Sequence, residues 1–460
     1  MDLGAYNAPS RGYLDTYIGA NFNSYTIIIA IVEGADGKYY VPEPTNGKTA
    51  EENLIDILEL CEEKGIDAQI QLHSKLTNPS YTAYSNVFTE VYPNIDFKDY
   101  PALKRFFIVD EPTWAQLEYV ESNYVDWFND NYAASGHEFY VNMLGGYSSW
   151  IGHIRDANGE LIYTSNGGYI DNVATEEQKA TFYNAYVNKW LTIFNKINTT
   201  NKYFTIDDYP LEDNQSGLLT LPTDTLPEGY ERSVADGWLL TNYKAATVAK
   251  NNNLLFGAYI QACDEQGRNF RLPTTIAEIK WQAYINMAFG AKRLMYYGYD
   301  QRLEGTYMTL LGEPLALYGF VKETNAEILK FDNVIAAFDT WVGVKTFNGV
   351  GMEKNVAFAN VEGIELEALT GVANDSVITT KDLVVGEMVD SNGNHGYMLV
   401  GYDDPYNGGT TEVRMTFDGA SGAIVYRNGE RFLTGNLING VFTTVLNAGE
   451  GIFVIPVYEV

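Results

Sequence analysis

Phe106-Phe107-Ile108-Val109-Asp110-Glu111-Pro112 is the stretch of sequence that decides the fold. Its four consecutive apolar residues predict a strand that is buried on both faces, as in a parallel sheet covered by helices. Two carboxylates and a proline end the strand. Thr113 and Gln116 then predict a helix N-terminus, because their spacing is that of a capping box. A strand followed at once by a capped helix is the repeating unit of α/β folds.

The same alternation of strand and helix runs through residues 1–342. Thr49 with Glu52 and Thr275 with Glu278 give two further capping boxes ahead of amphipathic helices. Eight strand–helix units favour a closed (β/α)8 TIM barrel over an open sheet, and no glycine-rich nucleotide motif follows any strand. The predicted strands are 3–7, 25–32, 67–73, 105–110, 138–144, 202–208, 254–262 and 293–299.

The pattern changes after the barrel, and residues 345–460 contain short alternating apolar runs. Asn392-Gly393, Asp418-Gly419 and Asn428-Gly429 lie between such runs and predict hairpin turns. This segment is therefore predicted to be a small antiparallel β-sandwich, an accessory domain behind the barrel.

Charge and composition exclude several classes of function. The chain of 460 residues has 60 acidic and 30 basic residues and a net charge of −30, which argues against a nucleic-acid partner. Its apolar runs are too short to span a membrane. The two cysteines and four histidines show no metal-ligand spacing, so we expect neither a metal nor another cofactor. The oligomeric state stays open.

The location of the protein is only weakly indicated. No secretory signal is recognisable, and Met1 is followed almost at once by the first predicted strand. We expect an extracellular or cell-envelope protein whose leader has been removed, and a cytoplasmic location stays open.

A TIM barrel has its site at the C-terminal ends of its strands, so polar residues there are candidates. Amide, carboxylate and phenol groups without cations suit a neutral polyhydroxylated ligand such as a sugar. The candidate substrate-binding residues are Asn7, His73, Asp110, Asn142, Tyr209, Gln261 and Tyr299, with Trp150 in a neighbouring loop.

Glu111 is the candidate general acid/base. It ends an apolar strand, and a general acid needs such surroundings to keep its proton near neutral pH. The alternative is that Asp110 or Glu111 only caps the following helix. Thr113 already supplies that cap, so a functional role for Glu111 is favoured.

Asp110-Glu111-Pro112 resembles the Asn-Glu-Pro of clan A glycoside hydrolases, whose acid/base glutamate lies at the end of the fourth strand. Ile206-Asp207-Asp208-Tyr209-Pro210, Ile260-Gln261-Ala262 and Gly449-Glu450-Gly451 are similar to segments of β-galactosidase-like barrel proteins of gut bacteria, which also carry a C-terminal β-sandwich. The resemblance implies a secreted enzyme that hydrolyses O-glycosyl bonds of an oligo- or polysaccharide, with Glu111 as its acid/base.

One departure from that family leaves the partner of Glu111 open. Clan A enzymes have a nucleophilic glutamate at the end of strand seven, where this chain has Gln261. Asp207 and Glu265 are the candidate catalytic partners, and Asp207 is favoured because strand positions hold geometry better than loops. The alternative function is a non-catalytic glycan-binding or scaffold protein that kept the barrel and lost its nucleophile.

Overall fold

A computed structural model gives the fold for most of the chain. It describes residues 1–6, 10–145, 153–155, 161–164, 176–199, 201–213, 219–220, 232–234, 238–265, 271–300, 305–350, 369–372, 376–402, 405–406 and 409–458. A closed barrel of eight parallel strands is followed by antiparallel sheets. The predicted fold class, a (β/α)8 barrel followed by a β-sandwich, is confirmed.

The eight predicted barrel strands are all present, in the order β1-β8-β7-β6-β5-β4-β3-β2 around the barrel. Several end two or more residues earlier than predicted, because the chain leaves the ladder to begin a loop. The strands are β1 (Asp2–Ala5), β2 (Ser24–Ile28), β3 (Asp67–Gln71), β4 (Leu103–Asp110), β5 (Glu138–Met143), β6 (Tyr203–Ile206), β7 (Leu255–Gln261) and β8 (Arg293–Tyr297).

Helices follow the strands, and the capping boxes predicted at Thr49, Thr113 and Thr275 are all formed. Across the described ranges, no helix combines the length and the apolar character that crossing a membrane requires. The helices are α1 (Leu14–Gly19), α2 (Ala50–Lys64), α3 (Val87–Glu90), α4 (Trp114–Asn123), α5 (Val125–Asn131), α6 (Glu176–Phe194), α7 (Trp238–Asn251), α8 (Ile276–Ala288), α9 (Ala316–Lys330) and α10 (Asp332–Ala337).

The loops contain short 3-10 turns and short paired strands. In the described part of the chain, 3-10 turns lie at Arg11–Tyr13, Ser74–Thr77, Phe97–Asp99 and Ile438–Gly440. The paired short strands are Val32–Glu33 with Tyr39–Tyr40, His153–Arg155 with Leu161–Thr164, Leu211–Asp213 and Leu219–Thr220 with Arg232–Val234, Asp264–Glu265 with Gly305–Thr306, and Thr309–Leu310 with Glu313–Pro314.

The chain divides into two compact units, and Asn23–Asp207 is the one that contains strands β2 to β6. An aromatic cluster fills its core beside β4. Phe106 is fully buried and meets Trp127 at 5.2 Å between ring centroids, and Trp127 stacks on Phe88 at 4.7 Å. These rings come from three elements, so they fix the position of the strand that ends at Asp110.

The other unit consists of Met1–Phe22 and Asp208–Val460. It includes a sandwich with a six-stranded sheet, β9-β11-β12-β17-β14-β15, and a three-stranded sheet, β10-β13-β16. Buried residues of both sheets share one core. The domain limits 1–342 and 345–460 stay a prediction. The strands are β9 (Thr340–Phe347), β10 (Val377–Thr379), β11 (Leu383–Val389), β12 (His395–Gly401), β13 (Thr410–Thr416), β14 (Gly422–Arg427), β15 (Glu430–Thr434), β16 (Val441–Asn447) and β17 (Gly451–Val457).

Two of the three predicted hairpins are confirmed. Asn428 and Gly429 have φ angles of 51° and 73° between the paired strands β14 and β15, and Gly393 lies between the paired strands β11 and β12. The hairpin predicted at Asp418-Gly419 is wrong. A turn forms there, but it joins β13 to β14, which belong to different sheets.

Helix α8 packs on the six-stranded sheet through glycines that let the backbones approach. A Cβ atom on Gly386 would lie 1.9 Å from the carbonyl oxygen of Ala288, and one on Gly449 would lie 2.1 Å from that of Ala277. These backbone carbonyl groups cannot move aside to make room for a Cβ atom, as a flexible side chain could. The Gly449-Glu450-Gly451 motif is therefore explained by packing.

Replacing Gly386 by alanine should destabilise the protein by about 1–3 kcal/mol, because the added methyl group overpacks a backbone contact. Thermal unfolding followed by circular dichroism measures the change. Gly319→Ala in helix α9 is the matched control, since nothing lies within 4 Å of the position that its Cβ would take and alanine favours helix. Equal melting temperatures for Gly386→Ala and the wild type would contradict this account of the packing.

Candidate active site

The end of strand β4 has an unusual backbone. The pairing of β4 with β5 shifts by one residue between Phe107 and Val109, which marks a β-bulge. Two residues beyond Val109, Glu111 has a φ of 47°, in the left-handed region that non-glycine residues seldom adopt. Its N–H donates to the carbonyl oxygen of Asn142 at 3.0 Å, which helps hold this conformation. Such backbone outliers concentrate at functional sites.

The carboxyl groups of Glu111 and Asp207 share a side-chain hydrogen bond. Two ionised carboxylates have no proton to share, so one of the pair is protonated. Asp207, at the end of β6, is only 6% exposed, whereas Glu111 is partly exposed. Burial, followed by the charge and the hydrogen bond of Glu111, raises the pKa of Asp207 well above its usual range. Burial therefore favours the protonated form of Asp207.

Asn142, at 1% exposure, links this pair to a third carboxyl group. Its Nδ2 donates to Oδ1 of Asp110 at 3.1 Å and to Oδ1 of Asp207 at 3.2 Å. Burial and the charge of Glu111 raise the pKa of Asp110 to about 7, and the bond from Asn142 opposes that rise. The amide thus fixes the positions of two carboxyl groups that would otherwise repel each other when ionised.

Neighbouring helices hold the strand ends in place. Thr113 caps α4 with Gln116, so neither Asp110 nor Glu111 is needed as the cap. The hydroxyl of Tyr186 in α6 donates to the carbonyl oxygen of Pro112 at 2.7 Å and accepts from the N–H of Leu144 at 3.5 Å. Tyr186 is fully buried, and nothing in the local sequence of its helix indicates these hydrogen bonds.

His73 lies at the end of β3 and caps a turn. Its Nδ1 accepts from the N–H of Lys75 at 3.2 Å, and burial, with a smaller contribution from the Lys75 charge, lowers the pKa of the imidazole. The ring is therefore neutral and holds the 3-10 turn Ser74–Thr77. Its predicted contact with substrate stays a prediction.

The side chain of Gln261 is buried and hydrogen-bonded to backbone groups. The side chain is 0% exposed, and its Oε1 accepts from the N–H of Leu211 at 2.8 Å. Its Nε2 donates to the carbonyl oxygens of Leu211 and Arg271 at 2.9 and 3.0 Å. The side-chain amide of Gln261 already forms hydrogen bonds to backbone groups. Its contact with substrate stays a prediction.

The predicted tyrosines are also packed. Tyr299 is 0% exposed and lies against Tyr17, with 4.9 Å between ring centroids. Tyr209 is 6% exposed and packs on Tyr297 at 5.0 Å. A core role explains both rings, and their contacts with a sugar stay predictions.

Three predicted site residues cannot be evaluated from side-chain contacts. Asn7 and Trp150 lie outside the described residues. Glu265 belongs to the short strand Asp264–Glu265, which pairs with Gly305–Thr306, and only its backbone is described. Among the side chains that the structure describes, Asp207 contacts Glu111, and the choice between Asp207 and Glu265 as catalytic partner stays a prediction.

The side chain of Asp208 has a different hydrogen-bond partner from that of its neighbour Asp207. Its carboxyl group hydrogen-bonds Thr241 in α7, and burial raises its pKa to about 7. Side chains of consecutive residues in extended backbone point in opposite directions, which is consistent with the different partners of Asp207 and Asp208. In the described ranges, no group of three or more His, Cys, Asp or Glu side chains is arranged to hold a metal ion.

Comparison with known proteins gives a fold-level similarity to several families of glycoside hydrolases. No family model matches the sequence, and no curated protein matches it. A β-L-arabinopyranosidase from Geobacillus stearothermophilus aligns over 100% of this chain and 96% of its own, with 10% identity and a TM-score of 0.47. An α-L-fucosidase from Paenibacillus thiaminolyticus aligns over 100% and 99%, with 10% identity and a TM-score of 0.45.

An endo-1,4-β-D-mannanase from Thermotoga petrophila aligns over 71% of this chain and 99% of its own, with 13% identity and a TM-score of 0.42. These structural neighbours are glycosidases with different substrates. At these identities and TM-scores the comparisons indicate no family for this chain.

Asp110→Asn should flatten the dependence of stability on pH. A carboxyl group whose pKa is raised on folding contributes stability at low pH, and this contribution is lost as the pH rises through the folded value, about 7 for Asp110. The wild type should therefore lose more stability between about pH 5 and about pH 8 than the variant. Melting temperatures across that range measure the difference.

Asp390→Asn is the control, because hydrogen bonds to Asn394 and Asn392 lower the pKa of this exposed carboxyl group below that range. Its curve should run parallel to that of the wild type. A curve for Asp110→Asn that also runs parallel to the wild type would contradict the raised pKa of Asp110.

Proposed function

We propose that this protein is a glycoside hydrolase that cleaves an O-glycosyl bond with Asp207 and Glu111 as its paired carboxyl groups. The hydrogen bond between them carries the proposal, because it requires that at least one of the two carboxyl groups hold a proton and so places an acid beside a second carboxyl group. Glycoside hydrolysis uses this combination, an acid for the leaving oxygen and a carboxylate for the anomeric centre. The substrate would be an oligo- or polysaccharide, as expected for an extracellular or cell-envelope enzyme.

The proposed roles follow from the burial of each group. Asp207 gives its proton to the glycosidic oxygen, which takes the bonding electrons as it leaves the anomeric carbon. Glu111 attacks that carbon and forms a glycosyl ester. Water then attacks the ester, Asp207 takes the proton of that water, and the Glu111 carboxylate is released with the sugar. The sequence suggested Glu111 as the acid. The stronger burial of Asp207 supports the reverse assignment.

The direct hydrogen bond also supports a retaining outcome. Retaining glycosidases have carboxyl groups ~5 Å apart, whereas inverting enzymes leave ~6.5 to 9.5 Å for a water molecule between them. Carboxyl groups in hydrogen-bond contact are closer together than either range, and so nearer to the shorter one. In this scheme Asn142 and Asp110 are positioning residues, and Glu265 has no required role.

Glu111→Gln and Asp207→Asn should each lower kcat/KM for oligosaccharides by at least about 10³-fold. On aryl glycosides with acidic leaving groups, Asp207→Asn should recover much of its activity, because such groups leave without a proton. Glu111→Gln should stay inactive on both substrates. Steady-state assays over a panel of leaving groups separate the two roles.

Asp208→Asn is the matched control, since this neighbouring carboxyl group bonds to Thr241 instead of Glu111. It should keep near wild-type activity. Unchanged turnover in Glu111→Gln would remove this residue from the mechanism. A wild-type protein that binds glycans and releases no sugar would support the non-catalytic alternative.

The first product should have the anomeric configuration of the substrate. Proton NMR of a fresh reaction mixture observes the product before mutarotation. An inverted product would contradict the role of Glu111 as nucleophile and would place a water molecule between the two carboxyl groups.

A further inference from the structure

Lys75, on the loop after strand β3, lies against the rings of Tyr39 and Tyr81, and these three residues are called the aromatic corner. Its Nζ lies 4.0 Å from the ring centroid of Tyr81 and 5.6 Å from that of Tyr39, and the two rings are nearly perpendicular at 83°. Tyr81 is 41% exposed, and Lys75 is partly exposed. The corner is thus open to solvent, and two ring faces orient the ammonium group by cation–π contact.

Among the residues that the structure describes, no carboxylate pairs with this ammonium group. Among the described residues, Lys75 Nζ makes neither an ion pair nor a hydrogen bond. By contrast, Lys189 pairs with Glu121 at 2.9 Å, and Lys98 pairs with Asp96 at 3.4 Å. Its free N–H donors can bind an anionic oxygen.

The corner is built on backbone contacts. The N–H of Tyr39 donates to the carbonyl oxygen of Tyr81 at 2.8 Å, and Lys38 Nζ donates to that of Ser80 at 2.9 Å. The His73 imidazole holds the N–H of Lys75. These bonds join the hairpin after β2 to the loop after β3, so the corner is preformed.

The same turn is hydrogen-bonded to helix α4, which follows Glu111. Gln116 Nε2 donates to the carbonyl oxygen of Ser74 at 3.0 Å, and Gln116 also completes the Thr113 cap directly after Glu111 and Pro112. The corner is therefore on loops that follow neighbouring barrel strands, and one hydrogen bond connects its turn to the helix that begins after Glu111 and Pro112.

We propose that Lys75, with Tyr39 and Tyr81, is a subsite that recognises an anionic substituent, a carboxylate or a sulfate ester, on a sugar of the glycan. The inference rests on the proposed function, since it takes the ligand to be a glycan. The overall negative charge disfavours a densely charged polyanion. A single acidic group on an otherwise neutral chain can be bound by one oriented ammonium group.

Binding to the Glu111→Gln protein tests this subsite without turnover. The probes are three matched oligosaccharide series: neutral, uronate-bearing and sulfated. Lys75→Met should weaken binding of the anionic probe by about 10- to 100-fold, the effect of one charge-assisted hydrogen bond, and leave the neutral probes unchanged. Lys75→Arg should restore most of the affinity. Calorimetry measures all three, and the series that responds identifies carboxylate or sulfate as the substituent.

Lys98→Met is the control, because it removes the same charge from an exposed ion pair. It should bind like the parent. The subsite is refuted if no anionic probe binds, or if Lys75→Met weakens neutral and anionic probes equally. If the wild type hydrolyses no glycan and Lys75→Met still loses only anionic probes, the proposed function fails and the subsite stands.

Discussion

Two carboxyl groups in hydrogen-bond contact at a buried position cannot both be ionised, and the candidate site is organised around that constraint. Asp207 is nearly buried and Glu111 contacts it directly, so the pair retains one proton. In an open, solvated arrangement each group would ionise independently. The ends of β4 and β6 thus create one acid and one carboxylate from two residues of the same chemistry.

Maintaining that contact requires support from the surrounding backbone and side chains. The β-bulge in β4 and the left-handed conformation of Glu111 direct the chain at the strand end, and Asn142 bridges the carboxyl groups beside it. Tyr186 fixes Pro112 from the adjacent helix. The backbone of Glu111 is held in an unfavourable conformation here, and such conformations cluster at functional sites.

The sequence predicted the fold well because its signals are local. The apolar run Phe106–Val109 and the Thr113 capping box are read within a few residues, and both are formed. The preference for Asp207 over Glu265 also came from local geometry, since strand positions are held by their neighbours. Glu111 and Asn142 were placed at strand ends by the same counting.

Side chains at other strand ends depended on distant segments and could not be predicted. Gln261 is satisfied by the backbone of Leu211, which is 50 residues away in sequence. Tyr299 is covered by Tyr17 from the start of the chain. Alternation within a strand identifies a face, but the loops decide whether that face reaches solvent or a packed core. The left-handed φ of Glu111 has no signature in its residue type.

Infrared difference spectroscopy near neutral pH tests the shared proton most directly. The spectrum of the wild type minus that of Asp207→Asn should contain the C=O stretching band of a protonated carboxyl group, and the band should shift in heavy water. A difference spectrum with carboxylate bands alone would mean that Asp207 is ionised at that pH. The acid would then have to be another group, and the assignment of roles to Asp207 and Glu111 would be contradicted.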